Sequence, residues 1–104
     1  MNKKAVIEIA QFRLVADIQE KDFLKEAEVV HEDFLRKQRG YVDRELLKDK
    51  DGLWMDVLHW KSMEEAQKAA ELLMKDPKAE KFIGMIDPSS VKMLHLWQVK
   101  EFDK

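Results

Sequence analysis

Tyr41-Val42-Asp43-Arg44-Glu45-Leu46-Leu47-Lys48-Asp49-Lys50-Asp51-Gly52-Leu53-Trp54-Met55-Asp56-Val57-Leu58-His59-Trp60 decides the fold. Two runs rich in β-branched, aromatic and alternating apolar residues flank a polar stretch that ends in Asp-Gly, a strong hairpin signal. The pattern predicts strands at Tyr41 to Leu47 and Leu53 to Trp60. In the second of these, Leu53, Met55, Val57 and His59 fall on one side, and Trp54, Asp56, Leu58 and Trp60 on the reverse. Both sides are largely apolar, so both need cover.

Upstream, a strand is expected from about Lys4 to Leu14, with Val6, Ala10, Phe12 and Leu14 on one face and Ile7, Ile9 and Arg13 on the other. Asp17 and Glu20 have capping-box spacing, with Asp22 as a later start. Phe23, Ala27, Val30 and Phe34 then recur at helical spacing, flanked by Leu24, His31 and Leu35. Gly40 suits the left-handed conformation that closes a helix. Downstream, Ser62 and Glu65 form a second capping box, opening a helix with Met63, Ala66, Ala70 and Leu73 inward. Asp76-Pro77 opens a short turn carrying Phe82 and Ile83. After the Asp87-Pro88-Ser89-Ser90 loop, Val91 to Phe102 is expected as a long last strand. It carries Val91, Met93, His95, Trp97 and Val99 on one side and Leu94 and Leu96 on the other.

The predicted order is strand, helix, strand, strand, helix, strand. Two crossover units joined by a hairpin give a single α+β domain of ferredoxin-like βαββαβ type with a four-stranded antiparallel sheet. Its 104 residues suit one domain. Both helices must cover one face, which leaves the other apolar face open. Stacking that face on a twin predicts a homodimer.

Composition narrows the function. With 19 basic and 21 acidic residues interspersed, the chain has no concentrated positive face for nucleic acid or an anionic membrane. No apolar run approaches the length of a bilayer span, and Asn2, Lys3 and Lys4 do not resemble an export segment, so a cytoplasmic location is expected. There is no cysteine, hence no disulfide or thiolate ligand. His31, His59 and His95 stand alone, without a metal-binding spacing, so no metal is expected. The three glycines are isolated, which argues against a glycine-rich nucleotide loop.

Gly40-Tyr41-Val42-Asp43-Arg44-Glu45-Leu46, together with Leu53 to Lys61 running into Ser62-Met63-Glu64-Glu65-Ala66, resembles the antibiotic biosynthesis monooxygenase branch of the dimeric α+β barrel superfamily. The likeness spans nearly the whole chain. It implies the fold above, a dimer, and three functions to choose among. The first is a cofactor-independent monooxygenase acting on an aromatic or quinol-like small molecule. Such chemistry needs a base for a phenolic proton and donors for the resulting charge. His59 and His95 are the candidate bases, with Asp56 able to orient one of them. Trp60, Trp54, Trp97, Phe12 and Phe34 are candidate substrate walls, and Arg13 and Arg44 candidate anion partners. The second function is a non-catalytic binding or structural dimeric module, in which the same aromatics are core. The third is haem degradation, suggested by Trp60. The resemblance weakens there, because Gln11, Phe12 and Arg13 stand where that branch has an asparagine, and Lys75 to Lys81 offers no proximal histidine.

Overall fold

The computed structural model describes residues 5–104. Strands β1 (Val6–Phe12), β2 (Tyr41–Lys48), β3 (Trp54–Trp60) and β4 (Lys92–Trp97) form one sheet in the order β2-β3-β1-β4, every neighbouring pair antiparallel. Helices α1 (Glu20–Asp33) and α2 (Met63–Leu73) are the crossovers, and a short α3 (Glu80–Gly84) follows. Each crossover joins strands that run parallel but are separated by one other strand. The antiparallel ferredoxin-like architecture read from the hairpin therefore stands.

Register assigns every strand residue a face. Val6, Glu8, Ala10 and Phe12 of β1 lie opposite Trp60, Leu58, Asp56 and Trp54 of β3. All but Ala10 are buried, which marks this side as the one beneath the helices. Phe23 of α1 is fully buried at its centre, edge-on to Phe12 at 5.7 Å and to Trp54 at 5.0 Å, and stacked on Phe82 at 5.1 Å. Such offset and edge contacts fill space densely. Ile7, Ile9, Met55, Val57, Leu94 and Leu96 point the other way, and no helix covers them. Leu94 and Leu96 are exposed.

Local signals held to different degrees. Ser62 caps α2 by accepting from the Glu65 amide at 3.1 Å, and its hydroxyl donates to the Glu65 carboxylate at 3.0 Å. Gly40 has φ +82°, and a Cβ there would meet Glu65 Oε1 at 2.3 Å, so both conformation and space demand glycine. In the hairpin, Asp49 accepts from the amides of Asp51 and Leu53, and Gly52 takes φ +88°.

Other expectations need correction. Asp17 does not cap α1: Gln19 occupies that position without a side-chain bond, and Asp17 instead turns the chain at φ 70°. Carboxamides and carboxylates tolerate that left-handed geometry. Ala69, not Ala70, is the more buried residue of α2, since Ala69 keeps the i+3 step from Ala66. The last strand is shorter than expected. Its ladder stops at Trp97, with one further bond from the Gln98 amide to the Ala5 carbonyl, because β1 offers no more partners among the described residues. The expected start of β1 at Lys4 lies outside the described residues.

Candidate functional site

Two carboxylate–histidine pairs occupy opposite faces of the sheet. On the helix side, β1 brings Glu8 directly opposite His95 of β4, and Glu8 Oε1 lies 3.3 Å from His95 Nε2. Glu8 is only 7% exposed. The Trp60 indole N–H also approaches that carboxylate, one residue pair away along the ladder. Neither Trp60 Nε1 nor Glu8 Oε1 completes a well-shaped hydrogen bond among the described residues. Burial pushes the Glu8 carboxyl above its usual range, and the charge of Asp56 adds to this; His95 and the Trp60 N–H oppose the shift without cancelling it. His95 Nε2, the nitrogen that faces Glu8, likewise completes no hydrogen bond among the described residues, while 19% of the side chain stays exposed. A carboxylate on one ring nitrogen leaves the other as the basic one.

On the open side, His59 Nδ1 meets Asp43 Oδ1 at 2.5 Å, again between directly opposed residues. His59 and His95 are thus separated by the sheet itself.

Asp56 is buried and answered in full. Arg44 grips both its oxygens and gives a third bond, 2.8 Å, to the Ala27 carbonyl of α1. The Arg44 guanidinium also lies 5.5 Å from the Phe82 ring centre. Arg13 stands at the far end of β1, bonded to the Asp51 carbonyl of the hairpin. Trp54, Phe12 and Phe34 are core residues. Trp60 is sealed at 1% exposure, whereas Trp97, on the same face one pair beyond His95, is 68% exposed. The structure therefore gathers Glu8, His95 and Trp60, with Trp97 and Met93 flanking His95 on the β4 edge. It keeps His59, Arg13, Trp54 and Phe34 elsewhere.

Glu8 and Asp43 were missed by sequence reasoning. The signal for Glu8 was present: an acid alternating with Val6, Ala10 and Phe12 on a face that should be apolar. Asp43 carried none, because polar residues on an edge strand are commonplace.

Two open grooves lie elsewhere on the described surface. One, of about 600 Å³, lies between the Gln38–Arg39 turn and the outer face of α2. The other, of about 380 Å³, lies between α1 and β2 and is lined by His31, Glu28, Arg44 and Leu46. Neither reaches His59 or His95. Among the described residues no three acidic, histidine or cysteine side chains gather to hold a metal, and no helix is long and apolar enough to cross a membrane.

No family model matches the sequence, and no curated protein is significantly similar to it. Solved structures are similar over nearly the whole chain. SnoaB, a cofactor-independent oxygenase from Streptomyces nogalater, superposes with a TM-score of 0.75 at 14% identity, covering 97% of this chain and 99% of its own. A dimeric ferredoxin-like protein from an uncultured marine organism gives 0.67 at 16% identity, covering 97% and 93%. Rv0793 from Mycobacterium tuberculosis gives 0.66 at 14% identity, covering 94% and 98%. At such identities the likeness speaks for architecture alone: the chain shares with these structures the ferredoxin-like βαββαβ fold.

Proposed function

We propose that this protein is a small cytoplasmic monooxygenase that needs no cofactor, acts on an aromatic or quinol-like molecule, and works as a homodimer. The observation that carries the reading is the Glu8–His95 contact: a buried acid lies 3.3 Å from Nε2 of a partly exposed histidine, placed to orient the ring so that Nδ1 can take a proton. A substrate lying on the β4 edge between Met93 and Trp97 meets an apolar surface and that nitrogen together. Removal of a phenolic proton by His95 Nδ1 makes the ring electron-rich enough to reduce dioxygen directly. The substrate supplies both electrons, one oxygen atom enters the product, and the other leaves as water. Asp56 and Arg44 serve the scaffold, since each satisfies the other. The open face, with its apolar stripe of Ile7, Ile9, Met55, Val57, Leu94 and Leu96 and with His59 at one margin, takes a second copy of the chain.

The test is oxygen uptake with a panel of anthrones, naphthols and hydroquinones, with labelled dioxygen to follow incorporation. His95→Ala should abolish uptake and leave the fold intact, while His59→Ala should retain it. Full activity in His95→Ala removes the proposed base.

A non-catalytic binding module is the second reading. It is favoured by the packing of Phe12, Phe23, Trp54 and Phe82, which fills the space between helices and sheet. Stoichiometric binding of the same molecules without oxygen uptake would decide for it. Haem degradation does not fit the residues present. Trp60 is sealed in the core, and His31 Nδ1 is engaged by the Tyr41 hydroxyl at 3.2 Å.

A further inference from the structure

One row of the sheet crosses all four strands on the helix side: Tyr41 of β2, Trp60 of β3, Val6 of β1 and Trp97 of β4, each directly opposite the next. The Tyr41 and Trp60 rings meet edge to face at 5.5 Å. Tyr41 continues to α1, where its hydroxyl lies 3.2 Å from His31 Nδ1 and the two ring centres are 5.9 Å apart. His31 borders the groove between α1 and β2. At the other end, exposed Trp97 is separated from Trp60 by two strand spacings, about 10 Å. Every aromatic in the row except Trp97 is at least partly buried.

Indole and phenol are the side chains that most readily lose a single electron. An indole can do so and keep its proton for a time. A phenol does so easily only if its proton leaves together with the electron, which requires a base at hydrogen-bond distance. For Tyr41 to donate to His31, Nδ1 must carry no proton and is therefore an acceptor. Burial pushes the Tyr41 phenol up to about 12, so the hydroxyl remains protonated at neutral pH and has its proton to give.

We propose that Trp97, Trp60, Tyr41 and His31 form a path that carries an oxidising equivalent away from the His95 edge of the sheet and holds it at Tyr41. A one-electron oxidant at that edge, a substrate- or oxygen-derived radical, takes an electron from an indole and leaves an indole radical cation. Tyr41 then returns one electron to the indole and passes its hydroxyl proton to His31 Nδ1. The O–H bond breaks and an N–H bond forms. Trp60 ends as neutral indole, Tyr41 as a neutral phenoxyl radical and His31 as imidazolium. A soluble one-electron reductant, such as a thiol or ascorbate, restores the phenolate oxygen's electron, and His31 returns the proton. A site in which radicals arise is thereby spared oxidation of its own residues. The source of those radicals rests on the oxygenase reading; the transfer itself does not.

The experiment uses the whole protein and a photochemical oxidant, flash-quenched tris(bipyridine)ruthenium, with transient absorption and electron paramagnetic resonance as readouts. Tyr41 is the sole tyrosine, so any tyrosyl radical is its own. In the wild type a tryptophan radical should decay as a tyrosyl radical grows, more slowly in deuterated water. Trp97→Phe should lose most of the tyrosyl yield, and His31→Gln should leave the radical on tryptophan. Both positions are at least partly exposed, so these variants avoid rebuilding the core. No tyrosyl radical in the wild type, or an unchanged yield and rate in both variants, overturns the path. Failure of the oxygenase reading shows separately, as absent oxygen uptake with the tyrosyl signal intact.

Discussion

Arg44 of β2 reaches diagonally to Asp56 of β3 beneath the helices, joined by two parallel hydrogen bonds: Nε to Oδ1 at 2.8 Å and Nη2 to Oδ2 at 2.9 Å. Both side chains are more than nine-tenths buried. The fork geometry of a guanidinium matches a carboxylate, and a lysine would not reproduce it. Removing one member strands a buried charge. Arg44→Met should cost about 3–5 kcal/mol in urea unfolding, whereas Arg44→Met combined with Asp56→Leu should recover most of that loss. Equal destabilisation by the single and double variants would mean that the pair is not what holds this part of the core.

Glu8 makes stability depend on pH in a direction that can be worked out. Its native pKa is raised above the ordinary 4.5, chiefly by burial. The folded protein therefore favours the protonated acid. The stability this contributes is complete below pH 4.5 and is lost as pH rises towards the native value. Glu8→Gln has no such charge to bury. Its stability relative to wild type should be smallest near pH 4 and should grow on raising the pH, measured by denaturant midpoints across that range. A difference that shrinks with pH would contradict the burial argument.

Tyr41 offers a direct spectroscopic check. With one tyrosine in the chain, the tyrosinate absorbance in alkali reports a single group. In the native protein the midpoint should fall near 12, and in denaturant near the ordinary 10. Because the native value is the higher one, stability should decline as pH climbs through that interval. A native midpoint equal to the denatured one would place the hydroxyl in water.

Leu96, on the edge strand β4, lies opposite Ile7 on the uncovered sheet face and is 43% exposed. Leu96→Lys should leave the monomer fold intact, because the side chain touches no helix. It should convert a two-chain species into a single chain in sedimentation equilibrium, since an interface core excludes an unpaired ammonium. An unchanged mass in the variant would move the dimer contact to another surface.

Element order, the Asp-Gly hairpin, the Ser62–Glu65 cap and the left-handed conformation at Gly40 were legible along the chain, although Gly40 leads into β2 and does not close α1, which ends at Asp33. Each depends on residues close in sequence and on period-two or period-3.6 alternation, which local chemistry dictates. The extent of β4 was not legible, because among the described residues its ladder is set by pairing with β1, more than eighty residues earlier, and not by its own alternation. Nor was the false cap at Asp17, where a turn competes for the same side chain.

The site divides in the same way. Sequence alone determined that His59, His95, Asp56 and the tryptophans sit on strands, and that a four-stranded sheet has one face too many for two helices. Only the tertiary structure decided that Glu8 meets His95, that Arg44 rather than Arg13 answers Asp56, and that the two strand histidines are on opposite sides. Alternation names the two faces of each strand, but not which face of one strand continues which face of the next. Register supplies that link, through hydrogen bonds between residues far apart in the chain.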